Sequence, residues 1–401
     1  MAANKKLWQI DGGLHPLVEA YTVGEDYLLD QCLIPYDITA SRAHAEMLQH
    51  IGVLTAKELE TLHKAFNTLQ AEWKKGTFKV RQDQEDGHTA IEQYLVEACG
   101  DLGKKIHTAR SRNDQAMVMM RLFERDQLAV IGKLLDETSA AFRQAAAKHK
   151  AQQMPGYTHM QRAMPTTVGV WLDSFADGFA DSKLAVAAAA QLIDQNPLGS
   201  ASGFGIANFQ VDKNITTEKM GFAKIQDNPM YCGLSRGIFE TMVLGAMTMP
   251  MLLASRFATD MLLFTTEEYS FFSLPKEYTT GSSIMPNKQN YDLFEIMRGN
   301  FNVHAAYLQQ VQQIAGVLPS GYARDLQLTK APIVKGLELV QSTLALLAEV
   351  APKLQANSKS LDFAMSPDLF ATERVYQLVK SGVLFRDAYA QVKKELQDTK
   401  D

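Results

Sequence analysis

Apolar residues recur along most of this chain at the spacing of an amphipathic helix. Thr55 and Glu58 have the spacing of a capping box, in which each side chain satisfies a backbone N–H group at the helix start. Gly76 ends the segment. The pattern predicts a helix over 56–76, and its apolar face consists of Leu59, Leu62, Phe66, Leu69 and Trp73.

Longer segments predict helices well above the usual three turns. The longest, 111–154, contains no proline and one glycine, Gly132. A helix of this length would run about 60 Å. A second capping box is expected at Thr89 and Glu92. The other long helices are predicted over 166–194, 236–264, 290–318 and 331–354.

Segment 236–264 is rich in Met and Leu nearly all round, with Pro250 as an expected kink. A helix of this kind is predicted to be buried on every side, as in the core of an oligomer. A strand is suggested only by Phe78–Val80, which is too short to build a sheet. We therefore predict a mainly α fold, a bundle of long helices.

Length and helix pattern together predict three parts: an N-terminal helical domain over 1–109, a central bundle over 110–357 and a short C-terminal domain over 358–401. Lys plus Arg number 40 against 45 for Asp plus Glu, a net charge of −5. This balance disfavours nucleic acid and anionic membranes as partners.

The chain begins without the apolar core of a signal peptide, and its longest uncharged stretch, 301–323, holds several amides. We expect no membrane span and a cytoplasmic protein. Its three cysteines are too widely spaced for a disulfide framework or a zinc site, so three buried, inert thiols in a reducing compartment are expected.

Three polar loops, 154–165, 196–211 and 267–289, are predicted between the long helices. Gly281, Ser282 and Ser283 offer a run of flexible backbone N–H groups, Lys288 adds a cation and Asn290 can cap the next helix. We interpret this loop as an anion-binding nest. A plain helix cap is the alternative, but it accounts for only part of the set.

Other polar clusters permit two interpretations each. Segment 107–115 places two arginines at a helix start, where they either bind a carboxylate or are solvated. His159, in segment 156–162, is either functional or an ordinary surface residue. Segment 321–327 is either a functional site or a turn between helices. The carboxylates in 85–92 suit a helix N-terminus better than a metal. The glycines of segment 199–205 are superficially similar to a nucleotide-binding fingerprint. We reject this interpretation, because the segment lacks the preceding apolar strand of a βαβ unit.

Taken together, these motifs resemble those of the argininosuccinate lyase family in the fumarase/aspartase superfamily. Segment 281–290 matches the superfamily pattern G-S-S-x-M-P-x-K-x-N at every defined position. Segments 85–92, 107–115 and 156–162 are similar to E-D-x-H-x-x-x-E, H-T-x-R-S-R-N-D-Q and G-Y-T-H-x-Q-R. The similarity extends in order from about residue 36 to 388. It implies a fumarase/aspartase-like bundle with smaller terminal domains.

The resemblance also implies a reaction: the reversible β-elimination of argininosuccinate to arginine and fumarate, without a metal or organic cofactor. In the family the first serine of the loop is the base, here Ser282, while Lys288 and Asn290 hold the substrate carboxylate. A serine is a poor base unless its alkoxide is stabilised, which N–H groups and Lys288 can do. Donors at the carboxylate stabilise the charge that develops there.

By the same resemblance His159 belongs to the proton-transfer machinery, paired with Glu295, as an acid or a relay toward the leaving nitrogen. Family active sites combine segments from three chains, which implies a homotetramer. The expected partners are the small-molecule substrate and its products. The family's other substrate-binding positions correspond to Arg112, Asn113, Thr158, Tyr322, Gln327 and Lys330.

Several positions depart from the family pattern. The usual L-W-G-G-R-F appears as Leu7–Ile10, and a substrate-contacting serine aligns approximately with Asp26. Segment 228–238 keeps Asn228 and Arg236 but loses two acids. The chain also ends soon after Ala388, where family members usually continue. These departures bear on the substrate and not on the reaction type.

Two other functions remain as alternatives. A sister lyase would release fumarate from another N-substituted aspartate. A crystallin-like structural protein on this scaffold would be non-catalytic, but it would not require Ser282, Lys288, Asn290, His159 and Glu295.

Overall fold

A computed structural model describes residues 14–398, so the Leu7–Ile10 motif lies outside the described residues. The described part is mainly α-helical, as predicted. Its helices are α1 Pro16–Val23, α2 Asp26–His50, α3 Ala56–Lys74, α4 Gly87–Cys99, α5 Asp101–Lys104, α6 Arg112–Lys148, α7 Val168–Ile193, α8 Lys213–Met220, α9 Pro229–Leu234, α10 Ile238–Ala246, α11 Thr248–Phe264, α12 Asp292–Gly316, α13 Lys330–Val350, α14 Ser358–Ala364, α15 Ala371–Lys380 and α16 Phe385–Asp398.

Short strands form four two-stranded sheets within the described residues. Three pairs are antiparallel and one, β3 with β4, is parallel. The pairs are β1 Gln153–Thr158 with β2 Gln161–Thr167, β3 Gln195–Asn196 with β4 Lys224–Ile225, β5 Phe272–Ser273 with β8 Gln355–Ala356, and β6 Thr280–Gly281 with β7 Gln289–Asn290.

The chain divides into two compact units, each assembled from separate segments. These segments do not test the three contiguous domains predicted from the sequence, which stay a prediction. Unit 1 comprises the described part of Met1–Ile131 with Leu184–Met247 and His304–Leu339. Unit 2 comprises Gly132–Lys183, Thr248–Val303 and the described part of Val340–Asp401.

In unit 1, α2, α3 and α4 pack around a common apolar core. The predicted capping box is confirmed: Thr55 Oγ1 accepts from Glu58 N–H, and the Glu58 carboxylate accepts from Thr55 N–H at 2.8 Å. The apolar face follows the prediction, because Leu62, Phe66 and Leu69 are buried. No strand forms at Phe78–Val80, where Val80 instead exchanges hydrogen bonds with the Gln31 amide.

The capping box predicted at Thr89 and Glu92 is wrong. Helix α4 begins at Gly87, and the Asp86 side chain accepts the Thr89 N–H at 2.8 Å. Asp86 is itself a strong capping residue, so the helix starts three residues earlier.

The apolar segment predicted over 236–264 is two helices, α10 and α11, which meet at Met247. Pro250 explains this break, because its ring disfavours helical hydrogen bonding to the carbonyl four residues earlier, Ala246. Burial is not all round: Ile238, Met242, Met249 and Leu252 are each at least 40% exposed.

The same stretch, Ile238–Phe264, is by length and composition alone apolar enough to cross a membrane. Half of its most apolar window is buried within the protein, and core helices share this signature. The observation is therefore weak evidence for a membrane span.

In unit 2, the predicted loop over 154–165 is instead the antiparallel hairpin of β1 and β2. This hairpin is not evident from the sequence because it contains two prolines, Pro155 and Pro165, which are paired with each other across the two strands. Edge strands tolerate proline, because its missing N–H group can face away from the partner strand. The neighbouring core is aromatic, with Trp171 stacked on Phe257 and Phe272.

The three cysteines are free, but only Cys232 is fully buried, whereas Cys32 and Cys99 are half-buried. Burial raises the pKa of each thiol, to about 11 for Cys32. The inert character predicted for them therefore follows from their environments.

Candidate functional site

The segment that begins at Glu85 organises the charged groups of unit 1. Glu85 has a positive φ of 73°, and with Asp86 it forms the buried start of α4. Arg112 Nε donates to Asp86 Oδ2 at 2.9 Å, and its Nη2 lies 3.2 Å from Glu85 Oε1. Arg324 reaches the same Glu85 oxygen at 2.6 Å. Burial opposes ionisation of Asp86, but the charges of His88 and Arg112 hold its pKa at about 2.

Lys330, at the start of α13, is shared by two carboxylates of α2. Its ammonium lies 2.6 Å from Asp30 Oδ1 and 2.7 Å from Asp26 Oδ1, and all three side chains are buried. Burial disfavours the ammonium, but Asp30 and Asp26 raise the pKa of Lys330 above its ordinary value. Burial raises the pKa of Asp26 to about 6 against the attraction of Lys330.

His88, in the first turn of α4, is also a buried ionisable group. Its Nδ1 lies 2.6 Å from Asp37 Oδ2. Burial opposes protonation, but the Asp37 carboxylate raises the pKa of His88. The pair therefore favours the protonated imidazole more than an isolated histidine would.

These groups surround a cavity of about 200 Å³ whose lining belongs entirely to unit 1. Five of the eight predicted substrate-binding residues meet there: Arg112, Asn113, Tyr322, Gln327 and Lys330. The other lining residues are Asp26, Asp86, His88, Ala116, Arg236 and Arg324.

The wall residues absent from our predicted set carried a signal in the sequence. Asp86 and His88 lie in the 85–92 motif and Arg324 lies in 321–327. Arg236 is a position that segment 228–238 keeps from the family pattern, and Asp26 departs from that pattern. The sequence shows that these residues are charged, but it does not show that they line the same cavity.

Asp114, fully buried near the start of α6, holds the 199–205 loop. Its Oδ2 accepts from Gly199 N–H at 3.1 Å and Ala201 N–H at 2.8 Å, and its Oδ1 accepts from Ser111 N–H. Burial raises the pKa of Asp114 to about 6, although these N–H groups oppose the shift. Two N–H groups of the glycine-rich loop therefore bind a carboxylate of the chain itself. The strand that precedes this loop, β3, consists of two polar residues and is not the apolar strand of a nucleotide fingerprint.

In unit 2, the pairing of β6 with β7 closes the base of the Gly281–Asn290 loop. Ser282 Oγ accepts hydrogen bonds from Ile284 N–H at 3.3 Å and from Met285 N–H at 3.0 Å. Ser282 is half-buried, whereas Lys288 is exposed. Asn290 lies in β7 and α12 begins at Asp292, so the predicted role of Asn290 as a cap is wrong.

Thr158 ends β1 and His159 occupies the exposed turn of the hairpin, where His159 and Met160 have φ of 52° and 61°. Two consecutive residues in this region are typical of a two-residue type I′ hairpin turn. Glu295 lies exposed in the first turn of α12. Within residues 14–398 of the single chain, no ion pair joins His159 to Glu295.

The predicted residues therefore form two groups. The cavity of unit 1 brings five of them together, and unit 2 carries Ser282, His159, Glu295, Thr158, Lys288 and Asn290. The first group lines a cavity among ion pairs, with Lys330 buried and Tyr322 exposed, and the second lies on a loop, a hairpin and a helix start.

Comparison with known proteins agrees with this fold and these motifs. Residues 16–303 match the family described as Lyase. A crystal structure of recombinant class II fumarase from Schistosoma mansoni superposes with a TM-score of 0.76 at 16% identity, covering 97% of this chain and 93% of that one. The chain thus has the fumarase/aspartase-like fold and is a member of the Lyase family.

Relatives of known activity identify the branch of the Lyase family that the chain resembles. The argininosuccinate lyase of Xylella fastidiosa is 43% identical over 384 residues, 96% of this chain and 86% of that protein. The argininosuccinate lyase of Thermotoga neapolitana is 36% identical over 398 residues, 99% of this chain and 100% of that protein. The chain belongs to the argininosuccinate lyase family, which confirms the family inferred from the motifs.

Proposed function

We propose that this protein is an argininosuccinate lyase of arginine biosynthesis, which cleaves argininosuccinate reversibly to L-arginine and fumarate. The observation that carries the proposal is the hydrogen bonding of Ser282 Oγ, which accepts the N–H groups of Ile284 and Met285. Such donors stabilise an alkoxide, which is what a serine needs in order to act as a base.

In the proposed reaction, Ser282 Oγ removes a proton from the succinyl carbon adjacent to a carboxylate. The electron pair first delocalises into that carboxylate, where Lys288 and Asn290 stabilise the added negative charge. The pair then forms the carbon–carbon double bond of fumarate as the carbon–nitrogen bond breaks. The guanidino nitrogen takes up one proton and leaves as arginine.

We assign His159 to delivery of that proton, as the acid itself or as a relay, with Glu295 orienting it. His159 is exposed at the hairpin turn, where a substrate can reach it. Thr158, Arg112, Asn113, Tyr322, Gln327 and Lys330 bind the rest of the substrate. The charges around the unit 1 cavity suit a ligand that carries both carboxylates and cationic groups.

The active protein in this proposal is a cytoplasmic homotetramer whose sites combine segments of three chains. The exposed apolar side chains of α10, Ile238 and Met242, and of α11, Met249 and Leu252, support an oligomer interface. Sedimentation equilibrium should give four times the 44.5 kDa chain mass. A monomer that is fully active would contradict the shared sites.

The activity is tested by incubating the purified protein separately with argininosuccinate, adenylosuccinate, malate and aspartate. Fumarate is followed by its ultraviolet absorbance, and we expect it from argininosuccinate. Fumarate only from another substrate would indicate the sister lyase, and fumarate from none would favour the crystallin-like alternative.

A further inference from the structure

His159 lies in the exposed turn of the β1–β2 hairpin, and its imidazole makes no hydrogen bond within the described part of this chain. Met160, the other residue of the turn, is 65% exposed. A group that transfers a proton must nevertheless lie within hydrogen-bond reach of the atom that it serves. The position of His159 therefore depends on what holds the two strands on either side of the turn.

Tyr157, two residues before His159 in β1, attaches the hairpin to aromatic residues at the end of α11. Its ring centre lies 5.8 Å from that of Phe264 and 6.0 Å from that of Tyr269, within the range of favourable ring contacts. Phe264 is buried and ends α11. Tyr269 lies in the turn that follows, where the Phe271 N–H group donates to the Phe264 carbonyl at 2.8 Å. The Tyr157 ring therefore packs on two residues whose positions are set by the fold of unit 2.

Arg162 attaches the second strand of the hairpin, β2, to α14. It is paired with Tyr157 across the two strands, so both side chains project from the same face of the hairpin. Its Nη1 donates to the carbonyl of Ala364, the last residue of α14, at 2.9 Å. Helix α14 is in turn bonded to the turn after α11, because the N–H group of its cap, Asn357, donates to the Phe271 carbonyl at 2.8 Å. One framework of unit 2 therefore holds both strands next to the turn.

We propose that Tyr157 and Arg162 are positioning residues, which together fix the hairpin turn so that the His159 imidazole is held where it transfers its proton. This role rests on the proposed function. Neither residue contacts the substrate, and each acts through His159. A displacement of about 1 Å at a reacting group can cost about 100-fold in rate, so the loss of either attachment lowers turnover.

The first kinetic test is Tyr157→Leu, which keeps an apolar side chain but removes both ring contacts. We expect kcat for argininosuccinate to fall about 10- to 100-fold with KM within about 3-fold of the wild-type value, because proton transfer is disturbed and the binding groups of unit 1 are not. Tyr157→Phe retains the ring and should keep kcat within about 2-fold of the wild type. An unchanged kcat in Tyr157→Leu, a rise in KM alone, or equal losses in the two variants would overturn the role of Tyr157.

The second kinetic test is Arg162→Met, which removes the hydrogen bond to Ala364. It should lower kcat about 3- to 10-fold, again with little change in KM, since one hydrogen bond is lost. Lys359→Met is the matched control: Lys359 is an exposed cation of α14 that lines the same cleft as Arg162, and its loss changes the charge by the same amount. It should leave both constants unchanged. An equal fall in kcat for Lys359→Met would indicate a general effect of charge and would overturn the role of Arg162.

Hydrogen exchange followed by mass spectrometry tests the two attachments without turnover. In Tyr157→Leu and in Arg162→Met, the backbone amides of β1 and β2 should exchange about 3- to 10-fold faster than in the wild type, because the hairpin opens more often. Tyr94→Leu is the control: Tyr94 is a half-buried tyrosine of unit 1 whose ring centre lies 5.8 Å from that of Phe78. Its loss should leave exchange of the hairpin unchanged.

The exchange measurement also separates this proposal from the proposed function. Unchanged exchange of the hairpin in both Tyr157→Leu and Arg162→Met would overturn the positioning role, whatever the activity of the wild type. Failure of the wild type to form fumarate would instead overturn the proposed reaction, and with it the role of the hairpin in proton transfer, but not the attachment of the hairpin to unit 2.

Discussion

The two groups of candidate residues differ in how their positions are maintained. In unit 1, ion pairs with buried acids hold the charged side chains: Arg112 pairs with Asp86, and Lys330 pairs with Asp26 and Asp30. In unit 2, Lys288, His159 and Glu295 are exposed, and Ser282 is held by N–H groups two and three residues away. In the proposed function, recognition would then use a preformed network of ion pairs, and the proposed reacting groups would lie on local surface structure.

The largest expected effect is on the turnover rate, from a substitution in the Gly281–Asn290 loop. Ser282→Ala is expected to lower kcat about 10²- to 10⁴-fold with KM little changed, because it removes the proposed base and leaves the proposed binding groups in place. Steady-state fumarate release measures both constants. Ser283→Ala, beside it in the same loop, should retain nearly full activity. A Ser282→Ala enzyme with wild-type kcat would remove Ser282 from the base role.

Substitutions in the buried ion pairs of unit 1 should lower the free energy of unfolding more than substitutions of exposed charges. Lys330→Met leaves Asp26 and Asp30 buried without their cation and should lower the free energy of unfolding by about 3–5 kcal/mol. Urea denaturation followed by circular dichroism measures the loss. Lys335→Met, which removes an exposed ion pair with Glu25, should cost less than about 1 kcal/mol. Equal losses in the two variants would contradict the contrast between buried and exposed pairs.

The buried Asp114 should give the stability of the protein a measurable pH dependence. The pKa of Asp114 is about 6 in the folded protein, above the ordinary 3.8, so the folded state binds the extra proton between these values. This contribution is present below about pH 4 and is lost as the pH rises through 6.

Asp114→Asn removes this titration. The wild-type stability minus the variant stability should therefore fall by about 2 kcal/mol from pH 4 to pH 7. Urea unfolding at several pH values tests the prediction. Asp83→Asn, at an exposed acid, serves as the control, and a constant difference for Asp114→Asn would refute the expected shift.

The smallest expected effect lies in the hairpin turn. Met160 is 65% exposed with φ of 61°, a conformation that glycine adopts without strain, so Met160→Gly should stabilise the protein by up to about 1 kcal/mol. Met164→Gly, in the adjoining β2, should instead destabilise it by about 0.5–1 kcal/mol. Thermal unfolding distinguishes the two signs, and destabilisation by both variants would argue against strain at the turn.

Local features were predictable where neighbours in sequence decide them. The Thr55 cap depends on residues three apart, and the long helices follow from apolar spacing. The same reasoning missed the β1–β2 hairpin, because prolines and polar residues mask its alternation. It also misplaced the start of α4, where Asp86 and Thr89 are both good caps and only the fold selects Asp86.

The amino-acid sequence by itself determined the helical class and the family and supplied the candidate reactive residues, because these depend on short spacings and motifs. Only the tertiary structure decided which charges meet. Asp30 and Lys330 are 300 positions apart, and Glu85 and Arg324 are 239 apart. Such pairs form when packing removes the side chains from water, so that each buried charge requires a partner that no local pattern specifies.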